Sequence, residues 1–122
     1  MPLKFLLDEN QRGLLWRAIV RHNQTGAFPI VAVRVGDFAD LPLGSSDPDI
    51  LLWSERESRI LVSFDKATMA GHLADHLQSG HHSPGIFTFR RGSRLAEIVA
   101  YLTLVAYASD DWEWADRIEY IP

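Results

Sequence analysis

The strongest constraint on the fold is an alternation of short apolar runs with longer stretches whose apolar residues recur at helical spacing. Leu3 to Leu7 is a short, mostly apolar run that stops abruptly at Asp8-Glu9-Asn10, the pattern of a buried strand. In Gln11 to His22, Leu14, Leu15, Ala18 and Ile19 share one helical face, and Arg12, Arg17 and Arg21 fall elsewhere. Gly26 and Pro29 break the chain, and the β-branched run Ile30 to Val35 predicts a second buried strand. After a loop over Gly36 to Ser46, Asp47-Pro48-Asp49 opens a helix, because Pro suits the first helical position and Asp the first turn. Ile50, Leu51 and Trp53 begin its apolar face, and Glu55-Arg56-Glu57 reads as its solvated end. Ile60 to Phe64 predicts a third strand, Met69 to Gln78 a helix and Ile86 to Phe89 a fourth strand. Leu95, Ile98, Val99, Leu102, Val105 and Ala106 mark the longest amphipathic helix. Beyond the acidic, Trp-rich segment Asp110 to Ala115, the residues Ile118 to Pro122 read as an edge strand.

The order is βαβαβαβα with a final β, which argues for an α/β sandwich with a central, mostly parallel sheet flanked by helices. No repeat, linker or low-complexity tract divides residues 1–122, so one domain is expected. A chain this long buries enough surface for a core of its own. The absence of cysteine excludes disulfide scaffolds, thiolate zinc sites and Cys nucleophiles, and it fits a cytoplasmic setting. No apolar run approaches the roughly 20 residues that cross a bilayer, and Asp8-Glu9 interrupts an N-terminal run too short for a signal peptide. No membrane association is expected. Twelve basic against sixteen acidic side chains leave a net charge of −4, which does not suit coating nucleic acid by bulk charge. The location of the acids therefore matters more than their number.

Ligands of open parallel sheets bind beyond the carboxyl ends of the strands. Asp8 follows the first strand and Asp65 the third, so both are expected on that edge; Asp37 follows the second at a short distance. Asp47 and Asp49 stand at a helix start. That start is expected on the opposite edge, so Asp47 reaches the site only if the Gly36–Ser46 loop carries it back over the sheet. Two carboxylates 4 Å apart cost about 4 kcal/mol at an effective dielectric of 20. A cation or a shared proton offsets that cost. Mg²⁺ takes one or two carboxylates and keeps several waters, and such a site serves phosphodiester hydrolysis. Simpler roles stand beside this one. Asp8 suits capping of the next helix, Asp47 suits the N-cap before Pro48, Asp65 suits a turn, and Asp49 suits a first-turn acid.

Phe5-Leu6-Leu7-Asp8-Glu9-Asn10 resembles the N-terminal "LLDEN" signature of the small PIN-like proteins known as DUF5615, which are similar to Mut7-C ribonuclease-like domains. Ser46-Asp47-Pro48-Asp49-Ile50-Leu51 resembles that family's S-D-x-E-I-L element, and Arg59 to Lys66 resembles its "R-V-L-V-T-x-D-K" strand. The three stand in the family's order and spacing, and the resemblance covers roughly residues 3 to 90. It implies a PIN-like three-layer sandwich and a Mg²⁺- or Mn²⁺-dependent ribonuclease, such as the toxin of a toxin–antitoxin pair. Its partners would be an RNA substrate and an antitoxin protein, with a homodimer as a further candidate. Carried over by motif, Asp8, Asp47 and Asp65 are the catalytic, metal-binding acids. Asp49 occupies the usual Glu position as a second ligand or a structural acid. Glu9, Asn10 and Lys66 flank them.

Arg12, Arg34, Lys66, Arg90, Arg91 and Arg94 are candidates for a phosphate-facing rim that holds RNA by local charge. His72 and His76 are spaced like a zinc pair, with His81-His82 nearby, but no Glu follows His72 as zincins require; surface histidines are the expectation. Trp112 and Trp114 suit packing or a partner interface better than base stacking. Two rivals stand beside the nuclease. One is a catalytically weakened PIN-like module acting through protein binding, favoured by the lack of a counterpart to the helical Glu of standard PIN domains and by the Trp-rich end. The other is a phosphoacceptor receiver domain, which expects a Lys after a late strand.

Overall fold

The apolar runs become strands and the periodic stretches become helices in a computed structural model that describes residues 2–8, 13–64 and 67–122. In chain order these are β1 (Lys4–Asp8), α1 (Leu14–Gln24), β2 (Val31–Arg34), α2 (Asp47–Glu57), β3 (Ile60–Phe64), α3 (Met69–Gln78), β4 (Ile86–Phe89), α4 (Leu95–Ala108) and β5 (Ile118–Tyr120). The five strands form one sheet in the order β2-β1-β3-β4-β5, and every neighbouring pair is parallel. The result is the expected α/β sandwich, wholly rather than mostly parallel. β5 takes the edge beside β4, as its alternating sequence suggests.

Successive strand residues point to opposite faces, and each face buries a different pair of helices. Phe5, Leu7, Val62, Phe87 and Phe89 pack against Leu15 and Ile19 of α1 and Ile98, Leu102 and Val105 of α4. Leu6, Leu61 and Ile86 pack against Ile50, Leu51 and Trp53 of α2 and Met69 and Leu73 of α3. Each such side chain contributes roughly 1.5–3 kcal/mol on burial. The central strands are closed on both faces, which explains their near-continuous apolar sequences.

Local chemistry sets the ends. β1 runs one residue further than its apolar run, so Asp8 is the last residue of the strand rather than the first beyond it. Ser46, not Asp47, caps α2: its Oγ accepts the Asp49 amide hydrogen at 3.3 Å, and Asp47 and Pro48 form the first turn. α1 opens behind Gly13, whose left-handed φ of 62° turns the chain into the helix and which has no side chain to cap it. Trp114 packs edge-on against Phe87, with centroids 5.2 Å apart, and donates from Nε1 to Ser109 Oγ at 2.9 Å. Gly85 adopts φ 128°, and a Cβ there would meet the Trp114 carbonyl at 2.7 Å, so this close approach requires glycine. Trp112 remains 73% exposed. Among the described residues no helix is long and apolar enough to cross a membrane.

Candidate active site at the carboxyl edge

The strand order places a topological switch point between β1 and β3. The chain leaves β1 for β2 on one side, and then crosses back over β1 through α2 to reach β3. Crevices at such points, beyond the carboxyl ends of the strands, are where doubly wound sheets bind ligands.

Asp8 ends β1 there, with Ser63 of β3 as its Cα partner, and Ser63 is in turn partnered by Thr88 of β4. Leu6, Leu61 and Ile86 face α2 and α3, so Asp8, Ser63 and Thr88, two residues further along each strand, form a polar row on the same face. Ser63 Oγ and Thr88 Oγ1 are buried and have no hydrogen-bond partner among the described residues. A buried hydroxyl left in that state costs roughly 1–3 kcal/mol. The row therefore places two buried hydroxyls in line with the strand-end carboxylate.

Asp47 corrects one expectation. α2 ends at Glu57, just before β3 begins at Ile60, so its carboxyl end lies at the amino edge of the sheet. A crossover helix runs antiparallel to its strands, and its start therefore lies at their carboxyl ends, on the edge that carries Asp8. No loop is needed to carry Asp47 back. Its carboxylate is 16% exposed, and its Oδ2 lies 3.8 Å from Nε2 of His72 in the first turn of α3. The Gly36–Ser46 connection has another task. Leu41 is buried, Phe38 stacks near Trp53 at 5.3 Å, and Asp40 accepts from Trp53 Nε1 at 3.2 Å and pairs with Arg56. These contacts anchor the loop on the outer face of α2.

Asp49 is not brought to Asp47. Two positions along a helix turn the side chain by about 200°. Asp49 instead lines a cleft of about 760 Å³ between the 36–46 loop and α2, together with Asp40, Arg56 and His81. That cleft lies along the outer face of α2. Glu9, Asn10, Arg12, Asp65 and Lys66 lie outside the described residues.

The basic candidates divide. Arg34, at the end of edge strand β2, pairs with Asp37 at 3.1 Å and lies over the Trp16 ring at 4.4 Å. Arg90 and Arg91 follow β4 on the carboxyl edge. They line a cleft of about 710 Å³ with Leu14, Phe64, Phe89 and Leu95, on the α1/α4 side. The Phe64 and Phe89 rings, 4.5 Å apart, pack on each other at its base, and the two arginines are its charged part, which suits a phosphate. Arg90 also lies 5.9 Å from the Tyr120 ring.

Sequence reasoning passed over Ser63 and Thr88, although a hydroxyl inside an otherwise apolar strand is a legible signal. It also paired His72 with His76. In the structure His72 faces Asp47, whereas His76 is buried against the half-buried Glu55, so the surface expectation fails for His76. Comparison with protein-family models, with curated proteins and with solved structures returns no match for this chain.

Proposed function

We propose that this protein is a PIN-like ribonuclease dependent on Mg²⁺ or Mn²⁺. One observation carries the reading: Asp8 and Asp47, which come from different motifs, share the carboxyl edge at the β1/β3 switch point, with the buried hydroxyl of Ser63 beside Asp8. Asp8 and Asp47 offer hard oxygen donors, and Ser63 Oγ, buried with no partner among the described residues, adds another oxygen beside Asp8; this set fits the hard cations. Asp8, Asp47 and, by the resemblance, Asp65 would hold the ion, with Asp49 as the more remote fourth acid. Bound there, the ion would supply activation of water and charge stabilisation at the leaving oxygen of a phosphodiester.

The chain's own residues would do the rest. Asp8 and Asp47 would hold the ion at the switch point, where a phosphodiester would meet it. His72, beside Asp47, is placed to position that carboxylate and to exchange a proton at Nε2. Arg90 and Arg91 would hold the phosphate backbone at the mouth of the cleft they line. The toxin role, an antitoxin partner, self-association and a cytoplasmic site of action follow from the resemblance alone. The same strand order occurs in phosphoacceptor domains. Those expect a lysine after a late strand, whereas Arg90-Arg91 follow β4 and Ile121-Pro122 follow β5.

Purified protein with Mn²⁺ and end-labelled RNA tests the reading. Cleavage should require the metal and should fall by about two orders of magnitude or more in Asp8→Asn and Asp47→Asn, the loss of several kcal/mol expected when metal catalysis fails. Activity that persists in excess chelator or in Asp8→Asn overturns it. A second reading, a module that works by protein association, draws on the 73% exposed Trp112. No manganese binding at millimolar concentration, together with a stable protein complex, would favour it.

A further inference from the structure

A second polar cluster lies at the far ends of α2 and α3, toward the amino edge of the sheet. Glu55 comes from α2, His76 from α3 and His81 from the connection to β4. Glu55 Oε1 lies 2.9 Å from His81 Nδ1 and 3.5 Å from His76 Nε2, and one ligand atom from each residue falls within 4.8 Å of the others. The two imidazoles stack, with centroids 4.8 Å apart and planes 20° from parallel. The carbonyl oxygen of His82 lies 3.0 Å from His76 Nε2. Glu55 Oε2 accepts the His82 amide hydrogen at 2.9 Å, which turns Oε1 toward the two rings.

We propose that Glu55, His76 and His81 bind one borderline divalent cation, with Zn²⁺ as the natural occupant. The site is separate from the carboxyl edge and does not rest on the ribonuclease reading. Two imidazoles and one carboxylate are a donor set that zinc takes, with bonds near 2.0–2.2 Å. Tetrahedral bonds of that length put neighbouring ligand atoms about 3.3–3.4 Å apart. The two separations from Glu55, 2.9 and 3.5 Å, bracket that spacing, and the His76–His81 pair, within 4.8 Å, closes toward it on loading.

The hydrogen bookkeeping also permits it. Two ring nitrogens face oxygens that only accept, so in the metal-free form each carries a hydrogen. A cation replaces both hydrogens, which move to the other ring nitrogens or to solvent, and binding therefore competes with protons. The carboxylate is already oriented through its other oxygen, as metal-ligating carboxylates are. The connection that carries His81 is held by Asp116, which accepts the Ser83 amide hydrogen at 2.7 Å and pairs with His82 Nδ1 at 2.9 Å. Glu55 and His81 also line the cleft that holds Asp40 and Arg56, so solvent reaches two of the three ligands. The ion would fasten α2, α3 and the α3–β4 connection at one point, and it would raise the melting temperature by mass action.

Chelator-stripped full-length protein titrated with Zn²⁺ in a calorimeter, and with Co²⁺ in a visible spectrophotometer, tests the site. One ion per chain is expected, with intense visible Co²⁺ bands of tetrahedral type and a zinc-dependent rise in melting temperature. His81→Ala removes a side chain that is 43% exposed, so the core survives, and it should weaken binding at least tenfold. Glu55→Gln keeps the shape of the side chain and should do the same. Asp8→Asn should leave zinc binding unchanged. Absence of zinc binding by the wild-type protein at micromolar concentration, or equal affinity in His81→Ala and Glu55→Gln, overturns the proposal. Loss confined to Asp8→Asn overturns it as well, since the ion would then belong to the carboxyl edge.

Discussion

The two ends of the α2/α3 pair present different chemistry on one scaffold. At the carboxyl edge Asp47 meets His72, near the row Asp8–Ser63–Thr88, and the donors are mostly oxygen. At the amino edge Glu55 meets His76 and His81, and nitrogen predominates. Hard cations select the first kind of set and borderline cations the second. The ends also differ in how their polar groups are settled. Glu55 and Asp116 have named partners for both carboxylate oxygens, while Ser63 and Thr88 keep buried hydroxyls without one among the described residues.

The broadest way to break this comparison is to damage the sheet that both edges share. Phe87 touches Phe5, Tyr101 and Trp114 from the middle of β4. Phe87→Ala should cost about 3–5 kcal/mol in urea unfolding. Manganese-dependent cleavage and zinc binding should weaken together as the folded fraction falls. If either survives intact while stability drops, the edges are not carried by one cooperative unit.

A substitution at one edge should leave the other alone. Asp47→Asn should cut RNA cleavage by about 100-fold, near 2.7 kcal/mol of transition-state stabilisation, with zinc affinity unchanged. A parallel fall in zinc affinity would show that Asp47 acts on α2 as a whole rather than on its own edge.

Ser63→Ala separates stability from function. Removing an unpartnered buried hydroxyl should stabilise the protein by about 1 kcal/mol in denaturant melts, because its desolvation cost disappears. Cleavage should fall at the same time if Oγ serves the crevice. A destabilised Ser63→Ala with full activity would make the polar row a packing feature.

The smallest effect concerns pH at the amino edge. The hydrogen bond and charge of Asp116 raise the His82 imidazole above its usual pKa. Burial opposes ionisation of Asp116, but the Ser83 amide and the His82 ring outweigh it and hold the carboxyl below its usual range. The His82 contribution is complete below the unfolded value of about 6.5 and is lost as pH rises through the higher folded value. The Asp116 contribution is complete above about 3.9 and is lost as pH falls through the lower folded value. The melting-temperature gap between wild type and His82→Asn should therefore be widest near pH 5–6 and should narrow above neutrality. A gap that widens above neutrality would remove the pair from any role in holding the connection.

Much of the fold is legible residue by residue. Ile60–Phe64, Met69–Gln78 and Ile86–Phe89 keep the bounds that their patterns predict, because central strands closed on both faces read as unbroken apolar runs and their crossover helix is amphipathic. α1 is less legible at its start, where Gly13 precedes the helix without a side-chain signal and the periodic pattern alone suggests an earlier beginning. The site was half legible. Asp8 reveals itself by ending an apolar run. Asp47 shares that edge because a parallel crossover must return its helix antiparallel, a property of the topology and not of the local sequence. The capping role passed to Ser46, since the neighbouring Ser and Asp are both good caps and only backbone geometry chooses between them.

Alternation, turn residues and the three motifs determined a βα order, the strand-end acids and the chemical class they suit, since strand and helix periods are local properties of side-chain placement. Tertiary structure alone decided the rest. It set the strand order 2-1-3-4-5, the shared edge of Asp8 and Asp47, and the meeting of Glu55 with His76 and His81 across two helices. The reason is physical. Residues far apart in the chain become neighbours only when each face of the sheet chooses which helices to bury, and that choice belongs to the packed core as a whole.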